Sequence, residues 1–282
     1  MNGKLDQYNG PQSAGSGVDR ALLEAVREIA EQAGREIMTV YEGDFAVERK
    51  HDTSPVTEAD VVANRLISER LVALDPSIPV LTEETRAPAW RERQGWETYW
   101  LVDPLDGTRE FVKRNGEFSV NIARIERGDP VLGVVLAPAI GLEYAAIRGD
   151  GAWRYVDGRA DPIRVRPPAW PPTLALSRSH SSLREQHLSE TFGQPEIIRC
   201  GSSLKTCLIA EGRADLYPRL GPTSEWDTAA SQCVLEAAGG HLTDLQGRPL
   251  RYNTKESLLN PMFVAHNGME LDFDRLHEIA AL

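Results

Sequence analysis

Residues Tyr99-Trp-Leu-Val102 form an apolar run that stops abruptly at Asp103, and Asp106 follows across a stiff Pro104-Leu105 step. Such a run reads as a buried strand, so the fold must carry two carboxylates at the end of an interior element. Carboxylates held that close and aimed the same way repel each other unless a cation lies between them. Oxygen-only ligands on a tight turn favour a hard cation such as Mg²⁺. Gly107 and Thr108 then open a loop or the first turn of a helix. Their free N–H groups can hold an anion beside the metal. A metal next to an anion cradle points to phosphate chemistry.

Other carboxylates extend this pattern. Upstream, Pro79-Val80-Leu81-Thr82 reads as a short strand followed by Glu83-Glu84. Downstream, Ser224-Glu225-Trp226-Asp227 precedes Thr228-Ala229-Ala230, where a helix begins, and this puts Asp227 at its cap. Each piece alone also has a plain reading. Glu83-Glu84 is then a solvated pair, and Asp227 an ordinary helix cap.

The chain has 282 residues, enough for a large core in one big domain or two coupled ones. A net charge of −11 speaks against a basic face for non-specific nucleic-acid binding. It also means that local positive charge for phosphate must come from a few side chains and bound cations. The three cysteines, Cys200, Cys207 and Cys233, are odd in number and lack a C-x-x-C pair, so neither a disulfide framework nor a zinc site is indicated. The expected compartment is reducing and cytoplasmic. The longest apolar stretch, Val131 to Ile140, is about half of a membrane span. Met1 to Gly17 is rich in Gly, Ser and Gln, with no apolar centre, and reads as a mobile leader.

Periodicity organises the rest. Leu22, Val26, Ile29, Ala33 and Ile37 predict a helix from about Val18 to Tyr41. Ala63, Ile67, Leu71 and Leu74 predict a second from Thr57 to before Pro76, with Thr57 and Asp60 as a capping box. Strands are expected at Thr98–Val102, Ser119–Ile125, Val131–Leu136 and Glu143–Ile147, with Gly128-Asp129 as a hairpin turn. The Pro- and Arg-rich stretch from Arg164 to Pro172 reads as a boundary between residues 18–165 and 166–282. Beyond it, strands at Leu174–Leu176, Ile197–Arg199, Ala214–Tyr217, His241–Thr243 and Phe263–His266 alternate with helices at Ser203–Glu211, at Thr228–Ala238 and at the end of the chain. That alternation indicates an α/β layered fold.

Taken together, Glu83-Glu84, Asp-Pro-Leu-Asp-Gly-Thr after an apolar strand, and Trp-Asp-Thr-Ala-Ala resemble the inositol monophosphatase superfamily, in its order and at plausible spacing. Ser54-Pro-Val-Thr-Glu-Ala-Asp60, Phe111-Val-Lys-Arg-Asn-Gly-Glu-Phe118, Ser177-Arg-Ser-His180, Gly201-Ser-Ser-Leu-Lys205 and Leu216-Tyr-Pro-Arg-Leu-Gly-Pro222 are most similar to its CysQ-type 3'(2'),5'-bisphosphate nucleotidases. The resemblance runs from about Val18 to Val264. It implies an α+β layered αβαβα sandwich of the sugar-phosphatase type, with an N-terminal metal-binding half and a C-terminal substrate half.

It also implies a ligand set. Glu83, Asp103 and the Leu105 carbonyl would hold one Mg²⁺, and Asp103, Asp106 and Asp227 a second. Similar enzymes take up a third, weaker Mg²⁺. Glu84 would act beside the site through water. The reaction implied is phosphomonoester hydrolysis by direct attack of water, with Thr108 orienting the water, Asp60 accepting a hydrogen bond from Thr108, and Glu83 at the catalytic centre. Asp60 and Thr108 also have a plain reading as helix caps. The substrate implied is adenosine 3',5'-bisphosphate, cleaved to AMP and phosphate, with its sulfated form as a further substrate. Glu83, Leu105, Asp106, Gly107, Thr108 and Asp227 would face the reacting phosphate; His180, Ser202, Ser203, Lys205 and Arg219 would hold the remainder of the nucleotide. Lys113 and Arg114 belong either to a site loop or to the exposed surface.

Sensitivity to Li⁺ is a further implication. The expected partner is a small-molecule nucleotide, with no nucleic acid, no integral membrane segment and no obligate protein. Attachment at the cytoplasmic face of the inner membrane stays open. Two rival readings remain: an inositol or other small-phosphate phosphatase, and a non-catalytic metal- or phosphate-binding protein.

Overall fold

The computed structural model describes residues 17–43, 47–49, 55–178 and 183–282. The expected leader, apart from Gly17, lies outside the described residues, as do Ser54 and His180. Helix α1 (Arg20–Glu42) begins where Asp19 accepts the Leu22 N–H at 2.8 Å. It buries Leu23, Val26, Ile29, Ala33 and Ile37. A short antiparallel pair, β1 (Val47–Arg49) and β2 (Pro55–Thr57), follows where no strand was expected. Helix α2 (Glu58–Leu74) starts on the expected cap: the Thr57 N–H and hydroxyl each donate to Asp60 Oδ2 at 2.7 Å. Ala63, Ile67 and Leu71 form its buried stripe, but Leu74 in the last turn faces out.

The larger sheet runs in chain order: β3 (Val80–Thr82), β4 (Thr98–Asp106), β5 (Ser119–Glu126), β6 (Asp129–Ala137), β7 (Leu142–Ile147), β8 (Gly151–Val156) and β9 (Arg159–Pro162). Its pairs are antiparallel except β3 with β4. Helix α3 (Trp90–Arg93) precedes β4, and α4 (Thr108–Val112) follows it. The hairpin turn between β5 and β6 is Arg127-Gly128, both at positive φ, so Asp129 belongs to the strand and not to the turn as expected.

The smaller sheet has β10 (Thr173–Leu176), β11 (Glu196–Arg199), β12 (Leu216–Arg219), β13 (His241–Asp244) and β14 (Phe263–His266), in the order β11-β10-β12-β14-β13. Helices α5 (Leu183–Thr191), α6 (Leu204–Ala210), α7 (Ala229–Ala237) and α8 (Phe273–Ala280) complete the chain. Strand β12 lies two residues beyond the expected Ala214–Tyr217, because its register is set by pairing with β14.

Side-chain alternation along the strands sorts these elements into layers. Trp100 and Val102 of β4 pack with Val26, Ile29, Ala63 and Ile67 of the first two helices. Tyr99 and Leu101 point the other way, into a core with Cys207, Ile209, Cys233 and Val234 of α6 and α7. Ala175 and Phe263 of the smaller sheet close that core. On its far face, Leu174, Leu216 and Val264 meet Leu188 of α5 and Leu276 of α8. The result is the expected αβαβα sandwich. The expected boundary at 164–172 falls between the two sheets, yet α6 and α7 belong to one core with both.

Candidate metal and phosphate site

The site forms where β4 loses its regular pairing. Asp103 stands opposite Asn121 and Asp106 opposite Ser119, with a register shift between them. The strand therefore continues through Asp106 instead of ending at Val102, and both carboxylates come from its irregular last turn. The Leu105 N–H donates to Asp103 Oδ1 at 3.0 Å, which braces the turn. Glu83 follows β3, and its N–H donates to the Val102 carbonyl at 3.2 Å. Asp227 ends a 3₁₀ turn, Glu225–Asp227, and accepts the Ser224 N–H at 2.8 Å. It closes a capping box begun by Ser224, while Thr228 takes the cap of the following helix that the plain reading gave to Asp227; Asp227 also faces the other acids.

Carboxylate oxygens of Glu83, Asp103 and Asp227 lie within 4.8 Å of one another. Asp106 lines the same cleft. Burial, then the charges of Glu83, Asp106 and Asp227, push the Asp103 carboxyl well above the usual range. Burial raises Asp227 to about 8, with Asp106 adding to the effect and the Ser224 N–H and Arg219 opposing it. Burial raises Asp106 to about 6, against Lys205 and the Ser203 N–H, which donates to its Oδ2 at 2.6 Å. Unpaired buried anions are costly, and this set is all oxygen. The donor chemistry fits a hard divalent cation.

Next to this cluster, the Thr108 hydroxyl lies 3.4 Å from Asp60 Oδ1 and 3.5 Å from the Leu105 carbonyl. Asp60 is 1% exposed, and its other oxygen is held by Thr57. The expected Thr108–Asp60 relay is therefore compatible with the helix cap, because each carboxylate oxygen serves one role. Gly107 caps α4 at φ +89, and a Cβ there would stand 3.3 Å from the Glu117 carbonyl. Only glycine suits that conformation and space.

The expected substrate contacts divide. Ser202 and Arg219 reach the cleft, and each leaves a buried polar atom, Ser202 Oγ and Arg219 Nε, without a hydrogen-bond partner among the described residues. Ser203 is different: its hydroxyl is bonded to Asn121 at 2.8 Å and to Ser119 at 3.0 Å, and its N–H braces Asp106. It supports the wall of the cleft through these bonds. Lys205 is 4% exposed, donates to the Ser202 carbonyl and lies over the Tyr217 ring at 5.2 Å. It is not a solvated surface charge. Arg114, left open between site and surface, donates to the carbonyls of Tyr41 and Gly43 and closes the end of α1.

A pattern characteristic of the inositol monophosphatase family matches residues 19–276. The chain belongs to that family. The 3'(2'),5'-bisphosphate nucleotidase CysQ of Salmonella typhimurium is 52% identical over 244 residues, covering 86% of this chain and 98% of its own. Its counterpart in Escherichia coli K12 is 50% identical over the same shares. The crystal structure of CysQ from Bacteroides thetaiotaomicron superposes with a TM-score of 0.75 at 37% identity, covering 89% of this chain and 98% of that one. The Thermotoga maritima IMPase also superposes with a TM-score of 0.75, at 26% identity, covering 94% and 97%. Enzymes of this family are metal-dependent phosphatases, which agrees with the acidic cluster.

Some residues of the cleft carried no family role in the sequence. Arg109 and Glu110 line it beside Thr108. Behind the cleft, Glu117 accepts from Arg178 at 2.5 Å and from the Gly201 N–H at 2.9 Å, tying the segment before β5 to the loop that precedes α6. Glu117 and Arg178 both fall within stretches that carried the resemblance, so a signal existed. Leu259 also lines the cleft, and no motif marked it.

Proposed function

We propose that this chain is a Mg²⁺-dependent 3'(2'),5'-bisphosphate nucleotidase that converts adenosine 3',5'-bisphosphate to AMP and phosphate, and that also removes the 3'-phosphate of the sulfated nucleotide, leaving its 5'-phosphosulfate intact. The observation that carries the reading is one cleft of about 670 Å³ that holds both the acidic cluster and Arg219, with Lys205 buried against Asp106. The named relatives at half identity support the substrate class.

Glu83, Asp103 and the Leu105 carbonyl would hold one Mg²⁺, and Asp103, Asp106 and Asp227 a second. Bound there, the ions would lower the pKa of water and stabilise charge on the phosphoryl group and leaving oxygen. The Thr108 hydroxyl donates to Asp60 Oδ1, which leaves its oxygen free to accept a hydrogen bond from the attacking water. A proton leaving that water passes to Thr108 Oγ1 as Thr108 passes its own to Asp60. The Asp60 cap bonds from Thr57 keep that carboxylate oriented. Arg219 binds a phosphate away from the reacting one, and Lys205 supplies a point charge beside it. The buried thiols of Cys207 and Cys233 suit a reducing cytoplasm.

Phosphate release from adenosine 3',5'-bisphosphate and inositol 1-phosphate, with and without Mg²⁺, tests the reading. We expect Mg²⁺-dependent turnover with the nucleotide preferred by at least about tenfold, the scale of one lost charge-assisted contact. A preference for inositol 1-phosphate would transfer the assignment to the other branch of the family. Phosphate release that ignores Mg²⁺ would remove the metal site from the mechanism.

A further inference from the structure

Leu259 is 53% exposed and lines the same cleft as Glu83, Asp103 and Asp227. A large apolar side chain that lines an acidic cleft can serve as a fixed contact surface when its backbone is firmly held, and this one is. The Glu225 N–H donates to the Leu258 carbonyl at 2.8 Å, and the Asn260 N–H donates to the Thr223 carbonyl at 2.9 Å. Leu259 thereby forms an antiparallel bridge with Ser224, three residues before Asp227. Asn260 Nδ2 adds bonds to the Ser224 carbonyl at 2.6 Å and to Thr228 Oγ1 at 3.0 Å. Further back, Glu225, fully buried, accepts the Asn253 N–H at 2.8 Å, and Arg93 donates to Asn253 and to the Glu256 carbonyl. The chain cannot turn Leu259 inward without breaking several of these bonds.

Leu176 of β10, Leu188 of α5 and Leu220 just after β12 line the same cleft, so it carries apolar as well as acidic surface. Arg219 and the acidic cluster take the two phosphates of the substrate. Among the described residues, none of the expected contacts is assigned to the base, which is planar and largely apolar on its faces. We propose that Leu259 is the contact for the nucleobase and a determinant of preference for a nucleotide over a base-free sugar bisphosphate. The proposal rests on the nucleotidase reading above. It assigns a base-recognition role to the Asn253–Asn260 segment, which also buttresses the turn carrying Asp227.

The test compares kcat/KM for adenosine 3',5'-bisphosphate and ribose 3,5-bisphosphate, which keeps both phosphates and lacks the base. Leu259→Ala should reduce the nucleotide-to-ribose preference roughly 5- to 30-fold, mainly through KM for the nucleotide, as partial loss of a leucine contact predicts. Leu259→Met, which conserves volume, should keep the preference within about threefold. An unchanged ratio in Leu259→Ala overturns the proposal. So does an equal loss on both substrates, which would make Leu259 a support for the Asp227 turn only. If the wild-type protein fails to hydrolyse the nucleotide, the nucleotidase reading fails and this inference with it. That outcome appears in the wild type, whereas failure of the inference alone appears only in the variant.

Discussion

At the residue scale, the site is a balance of like charges that the fold itself does not settle. Asp103 is 1% exposed and carries the neighbouring charges of Glu83, Asp106 and Asp227. Lys205 and Arg219 offset part of that repulsion, at Asp106 and Asp227 respectively. They are therefore poor probes of substrate binding alone, since removing either also changes a proposed metal ligand. Asp103 separates function from stability more cleanly. Asp103→Asn preserves size and can still accept the Leu105 N–H, but it removes a buried charge. We expect turnover to fall at least about 100-fold, the scale for losing a central electrostatic group. Without divalent metal, its Tm should equal or exceed that of the wild type, because one member of a repulsive cluster is gone. A thermal melt in chelator beside a turnover assay reads both. Retained turnover, or a Tm well below wild type, would contradict the assignment.

At the element scale, helix α7 fixes where Asp227 stands, and a glycine lets the helix approach the sheet. A Cβ on Gly133 of β6 would lie 2.4 Å from the Ala230 carbonyl oxygen and 2.9 Å from Cys233 Cβ. Both partners belong to α7, one of them backbone, so the helix must move as a unit to make room. Gly133→Ala should cost about 2 kcal/mol or more in stability, the range for overpacking a core. It should also raise the Mg²⁺ concentration needed for half-maximal activity, because Asp227 lies two residues before the helix. Denaturant melts and a Mg²⁺ titration measure the two effects. A variant with wild-type stability would show that the layers can separate freely at this point.

At the scale of the whole molecule, the smaller sheet carries a pH-sensitive group far in sequence from the acids. His266 on β14 is 8% exposed and its Nδ1 accepts the Gly268 N–H at 3.2 Å, which selects the neutral ring. Burial, then the His241 ring 5.2 Å away, lowers its pKa to about 4. An unfolded histidine takes up a proton near the ordinary value of 6.5, while the folded one does not. The unfolded state then binds more protons, so this contribution to stability is present above that pH and is lost as pH falls toward about 4. Relative to His266→Gln, the wild type should lose about 1.5 kcal/mol between pH 6.5 and about pH 5. Comparing the two proteins cancels the opposite trend of the raised carboxyls in the acidic cluster. Parallel stability curves would mean that His266 titrates normally.

The parts legible in the sequence are those whose physics is local. The stripes on α1 and α2, the capping box of Thr57 and Asp60, and the apolar run before Asp103 each follow from spacing within one segment. Helix α5 was not legible because Leu188 is its one buried residue, and packing against α8 holds it in place. The β1–β2 pair and the strands β8 and β9 were missed for a related reason, since each needs a partner strand to exist. The chain by itself determined the family and marked the candidate acidic cluster, because motif order and donor chemistry are written in residue types. Tertiary structure decided which groups share the cleft. It brought Asp227 to Asp103, turned the Ser203 hydroxyl into the wall, and left Leu259 standing open. Those outcomes depend on contacts between segments far apart in the chain, and no short-range pattern in the sequence carries them.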